Sequence, residues 1–301
     1  MTWIAFAFCG PVLWAISTHL DKYLLERYFK DSNPGALLVF TALAGVLLLP
    51  VIWFFDPAVS EIDAESACLM ASSGILYMGA MLFYLRALQG EEASVVAPFY
   101  QASPLFGYAL GYVVLGEALS PRQMLGGGII IAGTLLVSLR SGPRATFKAR
   151  LAGLMLACAF ALALSSLIFK VFALRDEFWT TAFWMFVGEA IFGAGLLAIA
   201  SFRRQFFAVL RASPGAVLAV NGANELINLG GGLGNRYALL LAPLSLVQAI
   251  GSTTTLFVFA FGLVLSAFLP SFGREDLSAR NLIRKGFSAV LVAVGVMLVT
   301  R

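Results

Sequence analysis

Apolar runs of about twenty residues, parted by short polar breaks, recur along the whole chain. The breaks carry turn and charge residues, as in KDSNPG at 30–35, FDPAVSEIDAE at 55–65 and RSGPRATFKAR at 140–150. A bilayer core about 30 Å thick is crossed by about 20 apolar residues in a helix. The pattern therefore predicts ten transmembrane spans, near 3–24, 36–55, 66–88, 94–115, 124–139, 152–174, 180–202, 216–241, 244–269 and 283–299. No connection is long enough to fold as a soluble domain.

The pattern also repeats. Ser17, Thr18 and Lys22 in the first span find Ser165, Ser166 and Lys170 in the sixth at one constant offset. RALQGEEASVVAPFYQ at 86–101 is similar to RYALLLAPLSLVQAIGS at 236–252, and EALSPRQ at 117–123 to EDLSARN at 275–281. Five spans per copy is an odd number, so the second copy must enter the membrane from the opposite face. The expected fold class is an all-α membrane protein of ten transmembrane helices in two inverted five-helix repeats, 1–141 and 150–301, joined by a linker loop at 142–149. Repeats of this kind place a substrate site near the bilayer midplane between the halves.

Composition supports the membrane reading: 60% of residues are hydrophobic and 12% charged, with a mean hydropathy of +0.90. The three cysteines, Cys9, Cys68 and Cys158, sit in apolar runs and have neither metal-site spacing nor the density of a disulfide framework. No basic residue precedes Lys22, so the basic start of a cleavable signal peptide is missing and the first span is expected to be retained. The net charge of +4 is spread over short loops, which speaks for topology rather than nucleic acid.

One stretch sets particular requirements. ASVVAPFYQASPLFGYALGYVVLGEALSPRQMLGGGIIIAGTLLV, at 93–137, holds a span, a Gly-Glu before a short turn, and a glycine-rich span. It resembles the drug/metabolite transporter superfamily, in particular its EamA-like branch of ten-helix exporters, and Trp14 with Lys22 in the first span fits as well. The second repeat departs from the pattern: Thr255 stands where Pro104 has its counterpart, and the longer PSFGREDLSARNLIRKG at 270–286 replaces the tight turn. The resemblance implies an inner-membrane exporter of amino acids, their derivatives or other polar metabolites.

Orientation follows from the basic residues. Loops after odd-numbered spans carry Arg27, Lys30, Arg140, Arg144, Lys148, Arg150, Arg203, Arg204, Arg211, Arg274, Arg280, Arg284 and Lys285, against Arg122, Arg175 and Arg301 on the other side. By the positive-inside rule both termini are expected on the non-cytoplasmic side, whereas the family's usual picture has cytoplasmic termini; the expectation follows the charge bias.

Candidate chemistry concentrates in NGANELINLGGGLGNRY at 221–237. A phosphate-cradling loop is excluded, because no strand precedes the glycines and no Gly-Lys-Ser/Thr ending follows. Asn221, Asn224 or Glu225, and Asn228 recur at helical spacing and so share one face. The glycines beyond them predict close packing or a locally broken half-turn. The bland alternative is helix-to-helix glue, each Asn worth about 0.6 to 2 kcal/mol. Gln101, Pro104 and Tyr108 in the fourth span and Gln248, Ser252 and Thr255 in the ninth also recur at helical spacing, which suits one shared cavity.

Buried charge costs on the order of 3 kcal/mol, so charged residues within spans are informative. Glu189, nearest a span centre, is the leading functional charge. Lys22 and Lys170 lie toward span ends, where snorkelling is an alternative. Arg86 and Arg236 also lie near ends and are expected as anchors, and His19, the one histidine, as a packing residue. The expected substrate-binding set is Trp14, His19, Lys22, Tyr77, Gln101, Tyr108, Lys170, Glu189, Asn221, Asn224, Glu225, Asn228, Gln248, Ser252 and Thr255. Glu189 and the Asn224, Glu225, Asn228 face are expected to form one central site, neutralised by a proton, by Lys170 or Lys22, or by a cationic substrate group.

An enzyme is not expected, since a serine hydrolase would have only His19 as base and no metal-ligating cluster is present. A channel would carry rings of like charge or carbonyl filters. The expected function is secondary active transport, outward, of a small polar or amphipathic metabolite such as an amino acid or derivative, by alternating access. A nucleotide-sugar or sugar-phosphate antiporter is the alternative and would need more than two deep cations. No cofactor or metal is expected. The expected partners are a small-molecule substrate, protons or a counter-substrate, and the lipid bilayer, with the protein a monomer or homodimer.

Overall fold

The computed structural model describes residues 2–27, 35–90, 102–138, 149–212, 214–268 and 279–300. Among them the chain is helical, with no strand. In order the helices are α1 (Thr2–Arg27), α2 (Gly35–Phe55), α3 (Ala64–Gly90), α4 (Ser103–Leu115), α5 (Pro121–Ser138), α6 (Ala149–Arg175), α7 (Phe178–Ala198), α8 (Ala200–Ala212), α9 (Pro214–Leu241), α10 (Leu244–Gly251), α11 (Thr254–Phe268) and α12 (Ala279–Thr300). A 3-10 turn at Pro57–Ser60 follows α2. The 142–149 linker lies outside the described residues except for Ala149, which opens α6.

Helices are what an apolar solvent imposes, because every backbone N–H and C=O must be bonded within its own segment. Their ends are set locally. Ser120 and Gln123 form a reciprocal capping box ahead of α5: the Ser120 N–H donates to Gln123 Oε1 at 3.0 Å and the Gln123 N–H to Ser120 Oγ at 3.3 Å. Asp63 caps α3 by accepting the Ser66 N–H at 2.9 Å. Gly116 ends α4 in the left-handed region at φ 66°.

Among the described residues, six helical segments are long and apolar enough to cross a membrane: Thr2–Asp21, Gly35–Phe55, Ala64–Ala87, Ala152–Arg175, Phe178–Ala198 and Leu244–Leu265. Ser103–Leu115 and Gly286–Val299 are shorter apolar helices. The 28-residue α9 is long enough to span, and the polar face it carries keeps it out of the apolar set.

Two expectations are corrected here, and the close-packing alternative for the glycine run is borne out. The predicted seventh span ended at 202 in a basic loop, whereas α7 stops at Ala198 and that loop is the amphipathic helix α8. Phe202, Phe206 and Val209 fall on one face of α8 and are buried, while Arg203, Arg204 and Arg211 are exposed. The glycine run after Asn228 does not break α9, which continues to Leu241. The ninth span is divided instead, at Ser252 and Thr253 between α10 and α11.

The helices pack in pairs drawn from distant parts of the chain: α1 on α9 and α11, α3 on α6 and α7, α2 on α7, α4 on α6 and α10, and α5 on α12. The α1–α9 seam is close because its residues are small. A Cβ at Gly234 would stand 2.8 Å from both Cys9 Cβ and Sγ, and one at Gly231 3.2 Å from Trp14 Nε1. Two buried apolar clusters occupy opposite ends of the bundle. One gathers Leu24, the start of α2, Met78, Leu196, Phe202, Phe206 and Val217; the other gathers Ile52, Phe169, Met185, Phe186, Leu239 and Leu244. Large apolar side chains such as Leu47, Phe54, Phe55 and Val113 face outward. The polar residues lie between the two clusters.

Candidate functional site

Helix α9 supplies most of that polar layer. Asn221, Asn224 and Glu225 are buried on one face, and Arg236 lies about 22 Å along the axis from Asn221 at 1.5 Å per residue. The guanidinium of Arg236 reaches α7, where Nη2 donates to Glu189 Oε1 at 3.4 Å. Three rings surround it, Tyr77 of α3, Phe169 of α6 and Phe186 of α7, with centroids 5.5 to 5.9 Å from the guanidinium carbon. Glu189 is buried, with Gly45 of α2 leaving room against its Oε2.

About three turns toward the start of α9 from Arg236, Asn224 Nδ2 donates to Asp21 Oδ1 of α1 at 2.7 Å. Thr41 Oγ1 of α2 donates to Glu225 Oε1 at 3.0 Å. Tyr77 stands within electrostatic reach of Glu189, Arg236, Glu225 and Asp21 together, so the two levels form one polar centre. Asn221 Oδ1, Asn224 Oδ1, Glu225 Oε2, Asn235 Oδ1 and Gln248 Oε1 are buried acceptors that receive no hydrogen bond. An orphaned buried acceptor is costly, and a polar cavity that admits water or solute is the usual reason to keep several.

A second ionic site closes the far end. Lys170 of α6 is buried, ion-paired to Glu117 Oε1, and donates to the Ala242 carbonyl at 2.6 Å. Glu117 Oε2 accepts the Leu244 N–H at 2.8 Å. Gly116 makes this geometry available: its left-handed turn folds the chain back so that the Glu117 N–H bonds the Gly111 carbonyl at 3.1 Å and the carboxylate swings toward α6. The cation thus sits at the C-terminal end of α9 and the anion at the N-terminal end of α10, the arrangement both helix dipoles favour. A recess of about 340 Å³ opens beside the pair, lined also by Leu174, Leu240 and Pro243.

The expected residues fall out as follows. Tyr77, Glu189, Asn221, Asn224 and Glu225 come together at the centre, with Asn228 one turn beyond Glu225. Trp14 packs against the α9 glycines of the α1 seam. His19 Nε2 donates to the Val258 carbonyl of α11 at 3.0 Å, which makes it a packing residue. Gln248 lies against Gly107 of α4, Ser252 Oγ donates to the Ala249 carbonyl at 2.6 Å, and Thr255 is half-buried on α11. Tyr108 is half-buried on α4 and pairs with the Tyr112 ring, centroids 6.2 Å apart. Gln101 and the Lys22 side chain lie outside the described residues.

Two corrections concern charge. Lys170 does not neutralise Glu189; it is held at the α9–α10 junction by Glu117. Arg236 is not an anchor, since it turns inward to Glu189 and its side chain is 12% exposed, whereas Arg86 is exposed as expected. Asp21, Thr41 and Glu117 were not singled out as site residues. The signal for Asp21 was available: an acidic residue inside an apolar run, on the first span, next to the singled-out Lys22.

Comparison with known proteins agrees with this picture. The profile of the EamA-like transporter family matches residues 1–139. An uncharacterized transporter encoded in the cobO 3' region of a Sinorhizobium species is 35% identical over 79 residues, 26% of this chain and 56% of that protein. The match thus spans little more than half of that relative's length. An uncharacterized protein of Methanocaldococcus jannaschii is 26% identical over 129 residues, 42% of this chain and 90% of its own. A solved crystal structure superposes at a TM-score of 0.67 with 16% identity, covering 99% of this chain and 97% of its own, so the fold is shared end to end. Residues 1–139 are thus similar to the EamA-like transporter family, the resemblance the 93–137 stretch carries, and the helices long and apolar enough to cross a membrane make this a multi-pass membrane protein.

Proposed function

We propose that the protein is a secondary active transporter that carries a small polar or amphipathic metabolite, such as an amino acid or derivative, by alternating access. The observation that carries this reading is the polar centre itself: a buried Arg236–Glu189 pair and several unpartnered acceptors, enclosed between apolar clusters and met by helices from both parts of the chain. Enclosure at both ends suits a carrier, which exposes its site to one side at a time.

The proposed architecture is ten spans in two inverted repeats, with α10 and α11 together forming the ninth span and α8 lying on the membrane surface. The packing supports this. Exchanging α1–α5 with α6, α7, α9, α10–α11 and α12 turns the α1–α9 contact into α6–α3 and the α1–α11 contact into α6–α4, and returns α2–α7, α4–α10 and α5–α12 to themselves. The Methanocaldococcus relative, itself about half as long as this chain, fits a unit of that size. The repeats are assigned to 1–141 and 150–301, and the membrane to the inner membrane, with export as the direction. A nucleotide-sugar or sugar-phosphate antiporter is disfavoured, because both described buried cations, Lys170 and Arg236, are committed to carboxylates.

Counterflow tests the reading. Proteoliposomes loaded with an unlabelled amino-acid panel should accumulate labelled solute in a saturable, trans-stimulated way. Electrogenic flux without trans-stimulation would make the protein a channel instead.

A further inference from the structure

Asp21 and Glu225 lie near one another with no counter-cation among the described residues. Asp21 Oδ1 accepts from Asn224 Nδ2 and Glu225 Oε1 from Thr41 Oγ1, with the Asn228 amide also at Glu225, so both carboxylates have neutral donors. Glu225 lies within electrostatic reach of Asp21 and Glu189. Arg236 belongs to Glu189 and Lys170 to Glu117. Among the described residues no ion pair joins a cation to Asp21 or Glu225. The other described groups around them do not supply one: α1 adds His19, whose proton goes to Val258; α3 adds the phenols Tyr77 and Tyr84; and the α8 arginines are exposed, with Arg203 and Arg204 on backbone carbonyls, while the Lys22 side chain lies outside the described residues.

The unpartnered atoms agree with the charge. Asn221, Asn224 and Glu225 are 3%, 0% and 4% exposed, and each presents an oxygen that receives no hydrogen bond. All three of these atoms are acceptors. A ligand completing them must bring donors and positive charge at one point, and an ammonium group carries three N–H donors and one charge. A hydroxyl would leave the carboxylates uncompensated; an anion would add like charge beside them. We propose that Asp21 and Glu225, with the side-chain oxygens of Asn221 and Asn224, form a subsite for the ammonium group of an amine-bearing substrate.

This rests on the transporter reading and names the substrate's chemistry. Equilibrium binding to the detergent-purified full chain tests it with cadaverine, the diol of the same length and the dicarboxylate glutarate. Cadaverine should bind at least about tenfold more tightly than the diol, glutarate should not bind, and D21N and E225Q should each weaken cadaverine about tenfold or more. In the wild type, cadaverine should also protect Asp21 and Glu225 from a hydrophobic carbodiimide, read by peptide mass spectrometry, which localises the site even where a variant does not fold. No amine binding, equal or tighter binding of the diol or glutarate, unchanged affinity in both folded variants, or no protection of either carboxylate overturns the assignment. Cadaverine binding without counterflow of any solute would reject transport and keep the subsite; counterflow without amine binding would reject the subsite alone.

Discussion

Arg236 Nη2 lies 3.4 Å from Glu189 Oε1, with three aromatic rings around the guanidinium and apolar clusters at both ends of the bundle. Removing one partner of a buried pair leaves the other charge uncompensated, at a cost of about 3 to 5 kcal/mol, whereas replacing both is near neutral. R236M should therefore lower the thermal midpoint in size-exclusion melts, and R236M with E189Q should recover most of the loss. R236K should not match wild type, because a lysine lacks the planar fork and the ring stacking.

Glu189 and Glu225 are proposed to take part in the cycle, at least one of them changing protonation or partner. Gln keeps their shape and hydrogen bonding and removes the titratable charge. E189Q or E225Q should slow counterflow and flatten its dependence on pH. Wild-type rates at every pH in both single variants and the double would remove the carboxylates from the mechanism.

The Lys170–Glu117 pair should not tolerate reversal. Its partners are fixed by the backbone, since Ala242 offers only a carbonyl and Leu244 only an N–H. In K170E with E117K each side chain would meet a group of its own kind, and each helix dipole the wrong sign. The swapped double variant should melt no higher than the less stable of K170M and E117Q; rescue to wild type would mean that only the charge pair matters.

Asp63, at the membrane edge, gives a pH signature. The Ser66 N–H held by its carboxylate keeps Asp63 below its ordinary value of 3.8. Because the folded value is the lower one, the cap contributes fully above the ordinary value and is lost as pH falls through the depressed one. Hydrogen exchange, corrected for intrinsic rates, should find the Ser66 amide protected at neutral pH, less so in D63A, and should find wild-type protection declining only in that acidic window.

The basic-loop asymmetry predicts that 140–150 faces the cytoplasm and Arg301 the opposite side. In intact cells an impermeant thiol reagent should label R301C and spare G142C, each on a background without native cysteines. The reverse pattern would invert the topology.

Spans were legible because lipid demands long apolar runs, and the α9 polar face because Asn221, Asn224, Glu225 and Asn228 break such a run at helical period. Depth was less legible. Arg236 lies five residues from the end of α9, which reads as an anchor; in a 28-residue helix that end overshoots the core, and the side chain turns inward. The partner of Lys170 was hidden because Glu117 sits in the turn between α4 and α5, brought to α6 only in three dimensions. The glycine run looked breakable, but lipid leaves no water to bond opened backbone, and the close seam with α1 rewards an intact helix. Helix α8 escaped detection because its apolar face is three residues set among arginines.

That short helix has a mechanical consequence. The chain passes from Glu189 on α7 to Arg236 on α9 only by way of α8, whose Phe202 and Phe206 sink into the α2 core while Arg203, Arg204 and Arg211 stay outside. A helix anchored in this way works as a strap, so parting the two halves of the ion pair would pull on its docked face in the α2 core. Its outward arginines are where anionic lipid would grip the strap, and the ease of that stroke would then depend on the membrane as well as on the protein's own residues.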